Sequence, residues 1–267
     1  MVSHHIRSSS YPSNSYPIVD QLEEQLCRLR SCQAASTSSV TSKLTGLEDL
    51  YKCADQFLQL PLNQKTVCQT QNKNWVEEVL NGSLRLLDIC ATSRDALVQS
   101  KERLQDIQSV VRRRCSDEID TSNEVVEYLK TRKTSKKIIK KCLKDIKEVD
   151  RTNETNATES MLTEVQALTV DVFKSLLSYI SGSQKGSWSF SKLVIQRSEK
   201  ETEASISEFE VVDATLELMI SQKKKVNVDK SQIVKLESEV QEIDEVLTCL
   251  YRHLVRTRAT LLNVLSN

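Results

Sequence analysis

The chain has 267 residues, with 37 basic and 37 acidic side chains, 28% charged and 39% hydrophobic residues, and few aromatics (4%). A formal charge of zero removes any bulk electrostatic pull toward nucleic acid or membrane and leaves only local patches to consider. The size suits one elongated domain or two small ones, with a core drawn mostly from Leu, Ile and Val. No apolar run approaches the ~20 residues needed to cross a bilayer, and the opening residues lack a secretory signal. The three Asn-x-Ser/Thr triplets at Asn81, Asn153 and Asn156 are therefore expected to be chance matches. Eight scattered cysteines form no C-x-x-C pair, which predicts buried, reduced thiols in a cytoplasmic setting.

In chain order, residues 1–18 are Ser-rich, contain Pro12 and Pro17, and lack apolar periodicity; they read as a disordered tail. Their lack of acids resembles a plastid transit peptide, but with Arg7 as the sole Arg or Lys the plastid is the less favoured location. A short helix is predicted from Val19 to Arg30, with Leu22, Leu26 and Leu29 on one face. After a polar turn, Ser38 or Ser39 caps a second helix that Pro61 stops near Leu60.

From Leu62 onward there is no proline, and the only glycines are Gly82, Gly182 and Gly186, so long uninterrupted helices follow. One is predicted over Asn74–Arg114, with Leu80, Leu84, Leu87, Cys90, Leu97, Leu104, Ile107 and Val111 inward. Gly82 costs it about 1 kcal/mol relative to alanine. A helix over Asp117–Asp150, broken near Thr134 and Ser135, precedes a polar linker at Asn153–Thr158, where a subdivision of the helical domain (19–267) would fall near 151–160. Met161–Ile180 and Glu203–Ile220 are amphipathic. Between them lies a loop at 181–187, with Trp188 and Phe190 expected to dock on the bundle. Asp229 is read as the cap of the last helix. There Ile233, Leu236, Val240, Ile243, Leu247, Leu250, Leu254, Thr257, Leu261 and Val264 keep an unbroken 3-4 spacing, a heptad seam with one polar member. The fold class is all-α, an elongated bundle of long antiparallel helices. Such a seam serves a hairpin within one chain or a homo-oligomer equally well.

The residues offer little chemistry. His4 and His5 lie in the tail and His253 stands alone in the last helix, so no nucleophilic triad or metal-ligand spacing emerges. Four glycines nearly exclude a phosphate-cradling loop. These observations predict no enzyme, no catalytic residues, no metal and no cofactor. One patch stands out: Lys130–Lys147 holds nine basic residues against Asp145. At 100° per residue, Lys133, Lys137, Lys140, Lys141 and Lys144 share one side, opposite Ile139, Cys142, Leu143 and Ile146. Such a helix can meet anionic lipid, at ~1 kcal/mol per lysine, or an acidic partner. Alternatively it is an ordinary solvated face. Nucleic acid is disfavoured because no aromatic residue interleaves the lysines. In the tail, Arg7 three residues ahead of Ser10 suits a basophilic kinase and marks Ser10 as a candidate phosphorylation site.

Several blocks resemble a plant-specific family of helical proteins grouped with the BYPASS proteins. They are HIRSSSYP at 5–12, EQLCRLR at 24–30, NGSLRLLDIC at 81–90, RDAL at 94–97, KCLKD at 141–145, CLYRHLVRTR at 249–258 and LLN at 261–263. The chain departs from the family pattern at Val246 and Thr248, where glycine and glutamate are expected. The resemblance implies an association with root and shoot development, through a branch thought to restrain a mobile root-derived signal. It implies no enzymatic activity and supplies no catalytic residues. The leading expectation is thus a non-enzymatic scaffold or adaptor of the BYPASS-like family whose protein partners are unidentified. The alternative is a peripheral membrane module working through the lysine face.

Overall fold

In a computed structural model of the chain, the described residues are 17–35, 38–69, 73–113, 122–146, 156–182, 207–222 and 230–266. Ser10, Trp188, Phe190 and Asp229 lie outside them. Among the described residues there are eight α-helices and no strand. They are α1 (Pro17–Ala34), α2 (Val40–Leu58), α3 (Pro61–Cys68), α4 (Lys73–Arg113), α5 (Ser122–Asp145), α6 (Ala157–Ser181), α7 (Glu208–Gln222) and α8 (Lys230–Ser266). The all-α expectation holds.

Local chemistry sets the helix ends. Ser39 caps α2, its Oγ accepting from the Ser42 amide at 3.1 Å. Pro61 both ends α2 and opens α3 at a position where a missing N–H costs nothing; the short α3 was not expected. The expected polar linker at Asn153–Thr158 gives way at Asn156, which caps α6 by accepting from the Glu159 amide at 2.8 Å. Helix α7 starts in a capping box: the Ser207 hydroxyl accepts from the Glu210 amide, and the Ser207 amide donates to the Glu210 carboxylate. Gly182 follows the end of α6 with φ +78°, the left-handed conformation that suits a residue without Cβ. The break expected near Thr134 is absent, since Thr134 Oγ1 donates back to the Lys130 carbonyl and α5 runs on.

The chain forms two compact units, the first drawing on three stretches and the second on two. The first comprises residues 1–90, 147–173 and 246–267. Its core takes Leu22, Leu26 and Leu29 from α1, Leu47, Leu50 and Phe57 from α2, and Leu168, Val172 and Phe173 from α6. Arg258 of α8 donates to the Leu80 carbonyl and to Ser83 of α4, and Cys90 meets the Leu247 carbonyl at 3.7 Å. Residue numbers rise along α4 as they fall along α8, so the two are antiparallel. Gly82 has its reason here: a Cβ would fall 2.6 Å from the Gln166 side-chain oxygen, on an amide that donates to the Val79 carbonyl.

The second unit comprises residues 91–146 and 174–245. Arg94 pairs with Asp244 at 2.9 Å, Lys101 with Gln241, and Gln105 with Glu237, again an antiparallel α4–α8 pair.

The seam of α8 is buried at every position from Ile233 to Val264, Thr257 included. It is consumed within one chain, which removes it as the route to a homo-oligomer. The buried stripe of α4 differs from expectation. It follows Val76, Val79, Ser83, Leu86 and Cys90 in the first unit, then Ser93, Leu97, Ser100, Leu104, Ile107 and Val111 in the second. Leu84 is instead 47% exposed. The serines keep the 3-4 spacing because their hydroxyls turn back onto their own helix, Ser83 to the Leu80 carbonyl and Ser100 to the Ala96 carbonyl, both at 2.7 Å. Of the seven described cysteines, none is in a disulfide and only Cys90 is buried, while Cys27 and Cys68 are exposed. The expectation of buried thiols thus fails: most of these sulfurs sit at the margins of the helix stripes.

Candidate functional site

The five lysines singled out in the sequence lie in the second unit, and the structure fixes which way they face. The inward stripe of α5 reads Val125, Tyr128, Arg132, Ser135 and Ile139, a 3-4 repeat with a guanidinium at its centre. Arg132 is 2% exposed. Its Nε reaches both Asp213 oxygens, at 3.1 and 3.2 Å, and its Nη2 donates to Asp213 at 3.1 Å and to the Ile180 carbonyl at 2.6 Å. The guanidinium stacks 4.1 Å from the centre of the Phe209 ring, which meets Tyr179 edge-on at 5.7 Å. Tyr128 donates to Asp213 at 2.8 Å, and Lys136 adds a charge at 2.9 Å.

Burial pushes the Asp213 carboxyl upward, but the Arg132 charge and hydrogen bonds, joined by Lys136, outweigh it and hold the group below its usual range. Burial, with the neighbouring Asp213 carboxylate, holds the Tyr128 phenol well above its ordinary range, so it stays a donor. Arg132 thereby leaves the basic patch and becomes internal, while the half-buried Lys136 turns its charge to Asp213. Lys133, Lys137, Lys140, Lys141 and Lys144 are all exposed.

The first unit holds a second polar cluster, which the sequence reading missed. Asp55 of α2 is 3% exposed and accepts from the Thr257 hydroxyl. His253 Nδ1 stands 3.5 Å and Arg256 Nε 3.6 Å from its other oxygen. The signal was available, since Asp55 falls on the inward stripe with Tyr51 and Leu58. It explains the single polar member of the seam: Thr257 is tolerated there because an acid on the facing helix receives its hydrogen bond. His253, the one histidine outside the tail, is held in this cluster. Nearby, Tyr51 and Thr169 share a hydrogen bond at 3.1 Å; Thr169 spends its own hydrogen on the Val165 carbonyl at 2.6 Å, so Tyr51 is the donor. Among the described residues no group of three or more His, Cys, Asp or Glu is placed to hold a metal ion. No described helix is long and apolar enough to cross a membrane.

On the same unit, α8 exposes Tyr251, Val255, Leu262 and Leu265. These share a flank about a quarter turn from the buried seam. Arg252 and Arg256 are exposed along its outer side, and no acid follows Glu245. Leu84 of α4 is exposed as well, adjacent to the Ser83 that Arg258 grips.

Long heptad helices locked by buried polar pairs, with basic and apolar outer faces, define an all-α protein whose notable features are surfaces. The family model described as Protein BPS1 matches residues 43–264. The chain belongs to this family, the BYPASS family. No curated protein and no solved structure matches it.

Proposed function

We propose that the protein is a non-enzymatic adaptor of the BYPASS family acting in root and shoot development through protein contacts. The observation that carries this reading is the α8 flank of Tyr251, Val255, Leu262 and Leu265. Large apolar side chains in register on a helix, beside a seam already filled, form the kind of surface that receives another helix. Its rim of Arg252 and Arg256, on a segment devoid of acids, specifies the occupant: an amphipathic helix with an acidic edge on a partner protein. The developmental role rests on the family.

Proximity labelling in roots compares the wild type with Val255→Glu/Leu262→Glu, and the captured pair is then reconstituted from purified components. Both substituted positions are exposed, so the fold persists. The proposal expects a partner that binds the wild type directly and loses the variant. Identical partner sets and affinities for both proteins would refute it.

A further inference from the structure

The geometry points to a second working surface, distinct from the α8 flank: the lysine face of α5 docks on anionic membrane. Three observations converge. First, α5 is continuous through Thr134 and Ser135, so lysines on both sides of the expected break share one phase. Lys133, Lys137, Lys140, Lys141 and Lys144 occupy about 100° of the helix circumference. They extend along roughly 16 Å of its length at 1.5 Å per residue. All five are exposed, and none makes an ion pair among the described residues. Lys130, one turn earlier, reaches Glu127 only at 3.5 Å across the surface.

Second, the face cannot roll away. Arg132 lies on the inward stripe and is clamped by Asp213, the Ile180 carbonyl and the Phe209 ring. That clamp fixes the rotational setting of α5 and holds the lysines outward. Tyr128, one turn earlier and donating to the same Asp213, adds to the clamp, whereas the remaining inward positions, Val125, Ser135 and Ile139, are apolar or small and would resist rotation far less.

Third, the face carries apolar side chains that stand about half exposed. Val126 heads the lysine row at 45% exposure, and Ile138 flanks Lys141 at 52%. A straight row of lysines with an apolar residue at its head and another at its flank matches a planar, anionic, partly apolar surface. It would serve less well as a pocket for one ligand. Lysines act as point charges without directional forks, which suits many phosphate headgroups over one defined carboxylate. By the same 100° count the α5 acids Glu127 and Asp145 border the row beside Lys141 and Glu124 lies further round, and five lysines against these acids leave the face net positive.

The test is co-sedimentation of the full chain with vesicles of phosphatidylcholine alone, or with phosphatidylserine and phosphatidylinositol phosphates added, at low and physiological salt. The variants are Lys137→Glu/Lys140→Glu/Lys141→Glu and Ile138→Ser, with circular dichroism as the control for folding. Binding is expected only on anionic vesicles and is expected to weaken with salt. Charge reversal is expected to lower it by more than about a hundredfold, since losing three lysines alone at about fivefold each comes to that, and Ile138→Ser to lower it a few-fold without changing the salt dependence. Equal binding by the wild type and the charge-reversed variant, or no binding to anionic vesicles at either salt, overturns the proposal. Retention on immobilised polyglutamate without vesicle binding also overturns it, in favour of an acidic protein partner.

Discussion

The Arg132–Asp213 pair supplies the sharpest energetic test. In Asp213→Asn, the guanidinium keeps the Ile180 carbonyl and the Phe209 ring but loses the counter-charge it meets at 3.1–3.2 Å. Tyr128 and Lys136 lose the same anion. A buried charge left without its partner costs about 3–5 kcal/mol. For helices of this size that lowers the melting temperature by about 10 °C. Replacing both members, as Arg132→Met/Asp213→Leu, removes the two desolvated charges together and is expected to recover most of the loss. Urea denaturation followed by circular dichroism gives the cycle. The linkage adds a second readout. Because the folded-state pKa of Asp213 is depressed, its contribution is present above the unfolded carboxylate value. It is lost as pH falls through the folded one, so the gap between wild type and Asp213→Asn narrows below about pH 4. A cost under about 1 kcal/mol, the range of exposed pairs, would show that Arg132 is not held by a desolvated counter-charge.

Gly182→Ala forces a side chain onto a residue at φ +78°, with Cβ 2.9 Å from Glu210 Cγ; we expect a loss of about 1–2 kcal/mol in thermal or urea denaturation. Ser207→Ala removes the capping-box acceptor of α7 and should cost about 1 kcal/mol in the same measurement. Asn63→Ala removes the side-chain donor to the Phe57 carbonyl at 2.7 Å and the acceptor of the Thr158 hydroxyl at 2.9 Å, in a fully buried position. A loss of about 2–4 kcal/mol, with faster amide exchange in α3, is the expected outcome. Thr257→Val fits the seam by shape but leaves Asp55 without that donor, so it should destabilise by about 1–3 kcal/mol despite its higher hydrophobicity.

Periodicity made the helices legible where the inward residues were apolar. The α8 seam is the clear case: every predicted position is buried. It misled where the inward residues were small or charged. In α4, the eye followed Leu80, Leu84 and Leu87, whereas the stripe runs through Ser83, Ser93 and Ser100; the Ser83 and Ser100 hydroxyls are satisfied within the helix. In α5, Arg132 counted as one more surface cation because its partner, Asp213, lies 81 residues away and no local pattern links them. The outward phase of the five lysines was readable, since amphipathicity is a property of one helix. What locks that phase was not, since it depends on three helices meeting. Asp55 was missed for the same reason; its partner Thr257 was noticed only as an exception in the seam.

On the proposed adaptor reading, the outer face of α8 is the surface that receives the partner helix. The most direct measurement is rescue of a line lacking the protein by the wild type or by Val255→Glu/Leu262→Glu, each accumulating to the same level. If α8 acts as proposed, the wild type restores root and shoot growth and the variant does not. Full restoration by the variant would contradict that reading.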